Sequence, residues 1–556
     1  MSLNLFTFLF FYFLIINSTL GYGFLISKLI KLNLKYFNIS FLGLLGIFVL
    51  LIISYLTHFF TSHDYVHNSL ILSIGLVFFF FFFKKQNKNK DILKLNFFFL
   101  IFYIGLIIFK SHDDFSYYHF PYIYYLTQSE LFLGVGNFNH GFRTPSSIFY
   151  LNSLFYLPII KYYFFQIGAV LIMVFTTFNF FDLINKRLKE NNFDKLFFLS
   201  LLFFMFILIF FYRIAEHGTD RSAQILIFLL ISELLIIINV EKGIKENIAK
   251  ISILLGIVVS LKSFYVLYIA LTIPVFYYFY KKNKFEFIFL IFKNYFFYLS
   301  LILILSILIV NFFNSGCLVY PVSFTCFEKF SWSIPIAEVL LMNDWYEQWS
   351  KAGANPNFRV ENPQEYIQYF NWVGNWFEKY FFNKVSDFIL GILFLVLIFL
   401  FVFKSKKKTS PTIYKGEKFI YLIILILFFE WFYNHPSLRY GGYQLVCLLL
   451  FLPVSNILSN RYHNTNNLFK TNVLLLIAIT IFLGRNIDRI LNENQKYNFN
   501  PLVDPVYRVN NNYFSINEKM QKIINNKFFC DPSIKICKND SGIDVKEKYG
   551  YKIFFK

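Results

Sequence analysis

The chain alternates between apolar stretches and short polar connections. The stretches run for about 17 to 25 residues, the length at which a helix crosses the hydrocarbon core of a bilayer. About fourteen can be traced, roughly at 3–26, 41–60, 67–83, 93–110, 163–184, 195–212, 222–240, 249–261, 264–280, 286–310, 384–403, 417–433, 441–457 and 470–484. The cations alternate with them. Lys28, Lys31 and Lys35 follow the first stretch, Lys84 to Lys94 the third, Lys186 to Lys195 the fifth and Lys242 to Lys250 the seventh. Lys281, Lys282 and Lys284 follow the ninth, and Lys404 with Lys406 to Lys408 the eleventh. By the positive-inside rule these connections face the cytoplasm, which places both termini outside. The fold class expected is all-α: a polytopic transmembrane helical bundle. The first stretch lacks a charged leader and a small-residue cleavage site, so it reads as a retained helix. Residues 249–280 break at Leu261-Lys262-Ser263, as two short spans meeting outside or as one re-entrant unit. Two crossings keep the lysines in phase.

Composition agrees with this pattern. Of 556 residues 57% are hydrophobic and 15% charged, with a mean hydropathy of +0.54, whereas soluble domains carry about 25% charged residues. The formal net charge of +20 would suit nucleic acid, but the cations lie in short connections between apolar stretches, so no nucleic-acid partner is expected. No P-loop, HExxH, CxxC or EF-hand pattern occurs, which leaves those chemistries without a sequence signal. Six consecutive phenylalanines, Phe78 to Phe83, follow the general excess of Phe, Ile, Asn and Lys and receive no role.

Three outside connections are long enough to hold chemistry: 111–162, 311–383 and the tail 485–556. Two shorter ones are unusually charged, Tyr212 to Ser222 and Asn434 to Tyr443. Cysteines fall on the same side, and in an oxidising compartment the close pairs Cys317–Cys326 and Cys530–Cys537 are expected as disulfides. Neither pair has zinc-site spacing.

The first of these connections opens SHDDFSYYHFP. Charge beside a bilayer is costly, so the doublet Asp113-Asp114 asks for a function. Desolvation raises a carboxylate toward the range of a general base. Two adjacent aspartates cannot both face one site from a regular helix, so one base and one orienting group are expected. The doublet also suits the N-cap of an interfacial aromatic helix over Phe115 to Thr127; both roles remain open. His119 and His140, in the same loop, are candidates for binding an acceptor or a phosphate. Arg143, Arg213, Arg221, Lys262 and Arg439 all fall at outside span ends. Such cations hold phosphate oxygens or snorkel to headgroups. Glu216, His217 and Asp220 form a second acidic cluster, a metal or acceptor site or a solvated turn. Five of the six tryptophans lie in 311–383, as interface anchors or sugar platforms. Pro356 and Asn357, in AGANPNF, suggest a lid.

The acidic motif in an outside loop, the many-span body and the aromatic second loop together resemble the GT-C superfamily of membrane glycosyltransferases. More narrowly, DDFSYYHFP with GNFNHGFR, and NSGCLVYP with TCF, look like a family of bacterial polytopic membrane proteins. The resemblance implies a GT-C-like module over 91–484, an N-terminal addition of helices over 1–90 and a small periplasmic tail over 485–556. It implies a polyprenyl-phosphate-linked sugar and membrane lipid as partners, with Asp113 or Asp114 as the essential aspartate. Three spans precede the module here, so the motif follows the fourth span, where GT-C proteins usually carry it after the first. The doublet is also not spaced like oligosaccharyltransferase motifs, so the metal is unassigned and a divalent cation, Mg²⁺ or Mn²⁺, is the cofactor candidate. The expectation is a glycosyltransferase of a bacterial inner membrane, acting on the periplasmic face on a lipid, glycan or protein acceptor. A surface-polysaccharide polymerase or ligase would lean on arginines instead. A transporter or flippase would place ionisable groups at mid-membrane, where few occur.

Overall fold

A chain this apolar has to satisfy its own backbone hydrogen bonds, and it does so with helices. The computed structural model describes residues 4–85, 89–216, 218–240, 242–355, 357–405, 416–461, 466–529 and 542–556. Helices α1 (Leu5–Leu29), α2 (Ile39–His58), α3 (Tyr65–Lys85) and α4 (Asn89–Phe102) come first. After a loop bearing the short α5 (Phe120–Gln128) and α6 (Ser147–Ser153) follow α7 (Ile167–Lys189), α8 (Lys195–Phe210), α9 (Gly218–Val240) and α10 (Ile244–Leu261). Next come α11 (Ile273–Lys281), α12 (Glu286–Phe292) and α13 (Tyr295–Ser315). A second loop carries α14 (Ile336–Ser350), a hairpin of β1 (Ala354–Asn355) and β2 (Phe358–Arg359), α15 (Pro363–Ile367) and α16 (Val373–Trp376). The chain then continues through α17 (Ser386–Val402), α18 (Glu417–Asn434), α19 (Gly442–Ser459), α20 (Asn466–Tyr497) and α21 (Ser515–Phe529). It ends in the hairpin β3 (Asp544–Lys548) and β4 (Tyr551–Phe555). Among the described residues ten helices are long and apolar enough to cross a membrane.

Burial sorts these helices. In α9 89% of the apolar window is buried and in α2 and α7 83%, against 22% in α3, so α9 runs through the middle and α3 along the rim. Small residues let α1 lie between α2 and α3. A Cβ on Gly21 would stand 1.8 Å from the Gly75 carbonyl oxygen, and one on Gly23 would stand 1.9 Å from that of Leu42, so backbones meet where side chains would hold them apart.

Every expected span contains helical structure, but not every one is a continuous α-helix. The stretch 93–110 leaves its helix at Phe102, makes one 3₁₀ turn over Tyr103–Gly105 and runs on irregularly to Lys110. Irregular backbone at such depth must find partners within the protein, and α20 supplies them. Arg489 Nη2 donates to the carbonyls of Ile107 (2.7 Å) and Ile104 (3.2 Å), while Glu493 Oε2 accepts from the Phe109 amide (3.2 Å). The stretch 286–310 is broken where Asn294 caps α13, its Oδ1 accepting from the Phe296 amide at 3.0 Å. Residues 249–280 do divide at Lys262, which is extended. A ten-residue 3₁₀ helix, Ser263–Thr272, leads from it into α11.

Helix α20 runs unbroken to Tyr497, across the expected start of the tail at 485. The hairpin beyond it is antiparallel, Asp544 opposite Phe555, and β4 joins the first loop: the Leu133 amide donates to Lys552 O (3.0 Å) and the Phe554 amide to Leu133 O (2.9 Å). Asn517 donates to Pro121 O (3.0 Å) and Tyr507 to Tyr162 O (2.5 Å). Cys317 and Cys326 form the expected disulfide. Cys530 and Cys537, like His217 and Pro356, lie outside the described residues.

Candidate functional site

Four charged residues from four elements meet beside the first loop. Asp220 sits in the first turn of α9. Its Oδ1 accepts from Lys262 Nζ at 2.8 Å and its Oδ2 from Arg439 Nε at 3.4 Å. The Nη2 of the same guanidinium reaches Asp114 Oδ2, also at 3.4 Å. Arg439 thus bridges two carboxylates through two different nitrogens of one planar fork. Asp220 is enclosed, with 7% of its side chain exposed, whereas Asp114 at 28% and Arg439 at 38% open outward.

Local structure explains each placement. Lys262 stands in the extended step that ends α10, with its Nζ 5.3 Å from the centre of the Tyr440 ring. Arg439 belongs to a 3₁₀ turn, Leu438–Tyr440, between α18 and α19. That turn is tied from three sides. Gln224 of α9 donates to Arg439 O (2.7 Å), Trp431 to Ser437 O (2.9 Å) and Trp376 to Pro436 O (3.0 Å). Trp372 and Trp376 are buried, so these two tryptophans pack the protein interior instead of anchoring it to headgroups. Asp114 leads into a π-helical turn, Phe115–His119, without capping it through its side chain, which removes the capping role. π turns are often found at functional sites because they re-aim side chains within a helix. His112 Nδ1 lies 3.7 Å from Asp114 Oδ2. Asp113 is exposed. The π turn is fastened to the following loop, with Asn139 donating to Tyr117 O (3.0 Å) and Tyr117 OH 3.2 Å from His140 Nδ1. Tyr118 packs against Gly141, where a Cβ would come within 2.4 Å of the ring.

Of the sequence candidates, Asp114, Asp220, Lys262 and Arg439 converge. Arg143 is drawn elsewhere. It is buried and donates to Gly136 O (3.1 Å) and Tyr320 OH (2.7 Å) and pairs with Glu338, joining the two long loops. The structure thus places Arg143 at the junction of the two loops, with contacts from Nε, Nη1 and Nη2, and not among the converging charges. Arg213 pairs with Glu216, which also accepts from Ser111 Oγ (2.8 Å). Arg221 lies over the rings of Phe211 (5.4 Å) and Tyr443 (5.8 Å). His119 and Glu216 line a small cavity beside the π turn. Burial, with the charges of Lys110 and Arg439 nearby, pushes the His119 imidazole well below its ordinary range, so it is neutral near pH 7. Sequence reasoning missed Gln224 and Tyr440, whose partners are remote in the chain, and read Trp376 only as an interface anchor or sugar platform.

Among the described residues no three His, Cys, Asp or Glu side chains are grouped as metal ligands. The carboxylates at the site take a lysine and an arginine as counter-ions. Such a set can offer a half-exposed base beside cationic donors for an oxyanion.

The chain belongs to the family described as domain of unknown function (DUF8201), whose model matches residues 5–446. The match includes Asp114, Asp220, Lys262 and Arg439 and stops short of α20. No curated protein and no solved structure matches the chain.

Proposed function

We propose that this protein is an integral-membrane glycosyltransferase of GT-C type, transferring a sugar from a polyprenyl-phosphate carrier at the outer face of a bacterial inner membrane. The observation that carries the reading is the arginine bridge: Arg439 3.4 Å from both Asp114 and Asp220, with Lys262 closing the other side of Asp220. In the reaction the bond between the anomeric carbon and the carrier phosphate oxygen breaks as the acceptor oxygen bonds to that carbon. Asp114 takes the acceptor's proton, and the carrier phosphate leaves with the electron pair of the broken bond. Arg439 and Lys262 supply the positive charge that stabilises the leaving phosphate. Asp220, enclosed and held through both oxygens, positions these cations. Asp113, exposed beside the site, has no part in this chemistry.

Binding of farnesyl phosphate, a short carrier analogue, tests the reading with purified protein. The expected outcome is saturable binding by the wild type and a loss of roughly tenfold or more in Arg439→Gln, the order of one charge-assisted hydrogen bond. Equal binding by both proteins would reject Arg439 as the phosphate anchor.

A further inference from the structure

Beside the π turn a cavity of about 20 Å³ lies between the first loop and the N-terminal turns of α7 and α9. That is room for one small polar group. Its polar walls are Lys110, His119, Asn152, Gln166, Glu216 and Thr219, and its apolar walls include three phenylalanine rings. Gln166, at the N-cap of α7, is 4% exposed. Neither its Oε1 nor His119 Nε2 has a hydrogen-bond partner among the described residues. Two buried polar atoms at one small cavity carry an uncompensated desolvation cost, and a group that met both would remove it.

The chemistry of the walls narrows what that group is. Glu216 is already paired with Arg213 and Lys110 Nζ donates to the Ala215 carbonyl, so a group in the cavity is met by the neutral Gln166 amide and His119 imidazole. Amides, an imidazole and a hydroxyl offer donors and acceptors together, which suits a neutral hydroxyl. The cavity also adjoins the charged cluster: Thr219 lines it while the next residue, Asp220, holds Arg439 and Lys262. We infer that this cavity receives a hydroxyl or hydroxymethyl arm of the sugar being transferred, bound by Gln166 and His119, and so selects which sugar the protein accepts.

The inference rests on the glycosyltransferase reading and is tested apart from it. Binding to the purified full chain is compared for bare farnesyl phosphate and for its glucose, galactose, mannose and N-acetylglucosamine esters. At least one ester should bind roughly tenfold tighter than the bare phosphate, the order of one neutral hydrogen bond. In Gln166→Leu that increment should vanish while bare farnesyl phosphate binds as before. A second measurement needs no variant: with the preferred ester, removing one particular sugar hydroxyl should cost the wild type the same tenfold. The inference is overturned if no ester exceeds the bare phosphate, if every deoxy ester binds like its parent, or if the increment survives Gln166→Leu. Failure of Arg439→Gln to weaken bare farnesyl phosphate would instead reject the phosphate reading and leave a sugar-dependent increment standing.

Discussion

Arg439 is the residue on which the site turns, because one guanidinium holds two aspartates from elements far apart in the chain. A lysine there would carry the charge on a single nitrogen and lose the fixed fork whose separate nitrogens meet the two carboxylates. Arg439→Lys is therefore expected to lose activity nearly as fully as Arg439→Gln, measured as sugar transferred at matched expression; recovery in the lysine variant would show that charge alone suffices. The carboxylates already have Lys262 and Arg439 as counter-ions, so transfer should persist in a chelator of divalent cations. Abolition by the chelator and restoration by Mg²⁺ or Mn²⁺ would show that a metal does the work assigned to the two cations. A third residue gives a pH dependence. Burial, with Lys351 and Lys262 nearby, pushes His435 down to about 4 from an ordinary 6.5. The unfolded chain then binds a proton below 6.5 that the folded chain refuses until about 4, so stability present above 6.5 is lost as pH falls through that window. The Tm should decline over that range, and less steeply in His435→Gln. At this scale the sequence pointed to Asp114, Asp220, Lys262 and Arg439 because a charge at a span end stands out against an apolar chain. It could not separate them from Arg143, whose residue type and position look the same and whose partners Tyr320 and Glu338 lie in another loop.

At the scale of elements, span length made most of the helices legible, since the bilayer imposes that length. The break in 93–110 was not legible, because an apolar run gives no sign that its backbone partners come from Arg489, 382 residues beyond Ile107. That clamp sets the position of the Lys110 to Asp114 segment. Arg489 and Glu493 are both buried, and Arg489 Nη1 lies 3.0 and 2.9 Å from the two carboxylate oxygens. Arg489→Met leaves a buried carboxylate and two carbonyls without their donors, a cost of about 3–5 kcal/mol for a broken buried pair. A clear fall in Tm is expected, with transfer lost more steeply on warming than in the wild type. An unchanged Tm would mean that the segment is held by its apolar contacts alone. The 3₁₀ run Ser263–Thr272 and the π turn Phe115–His119 were equally invisible in sequence, since their side chains have the same apolar and aromatic character as an α-helix.

For the whole molecule, the tail closes over the first loop instead of hanging from the last span. Tyr507, Tyr513 and Phe514 pack on Phe115 and Phe120, and β4 hydrogen-bonds Leu133. A chain ending at Tyr497 is expected to keep its helices by circular dichroism and to lose transfer, because it uncovers the aromatic face of the loop that carries Asp114. Retained transfer would show that the loop holds its shape unaided. The account as a whole requires that one aspartate of the doublet does chemistry and its neighbour does not, and the direct measurement is mass spectrometry of carrier-linked sugars in cells whose only copy is Asp114→Asn or Asp113→Asn. A positioned base contributes about 10²–10⁴ in rate. Asp114→Asn should therefore accumulate the unused carrier-linked sugar and lack its product, while Asp113→Asn resembles the wild type; wild-type levels in Asp114→Asn at matched expression would contradict the account.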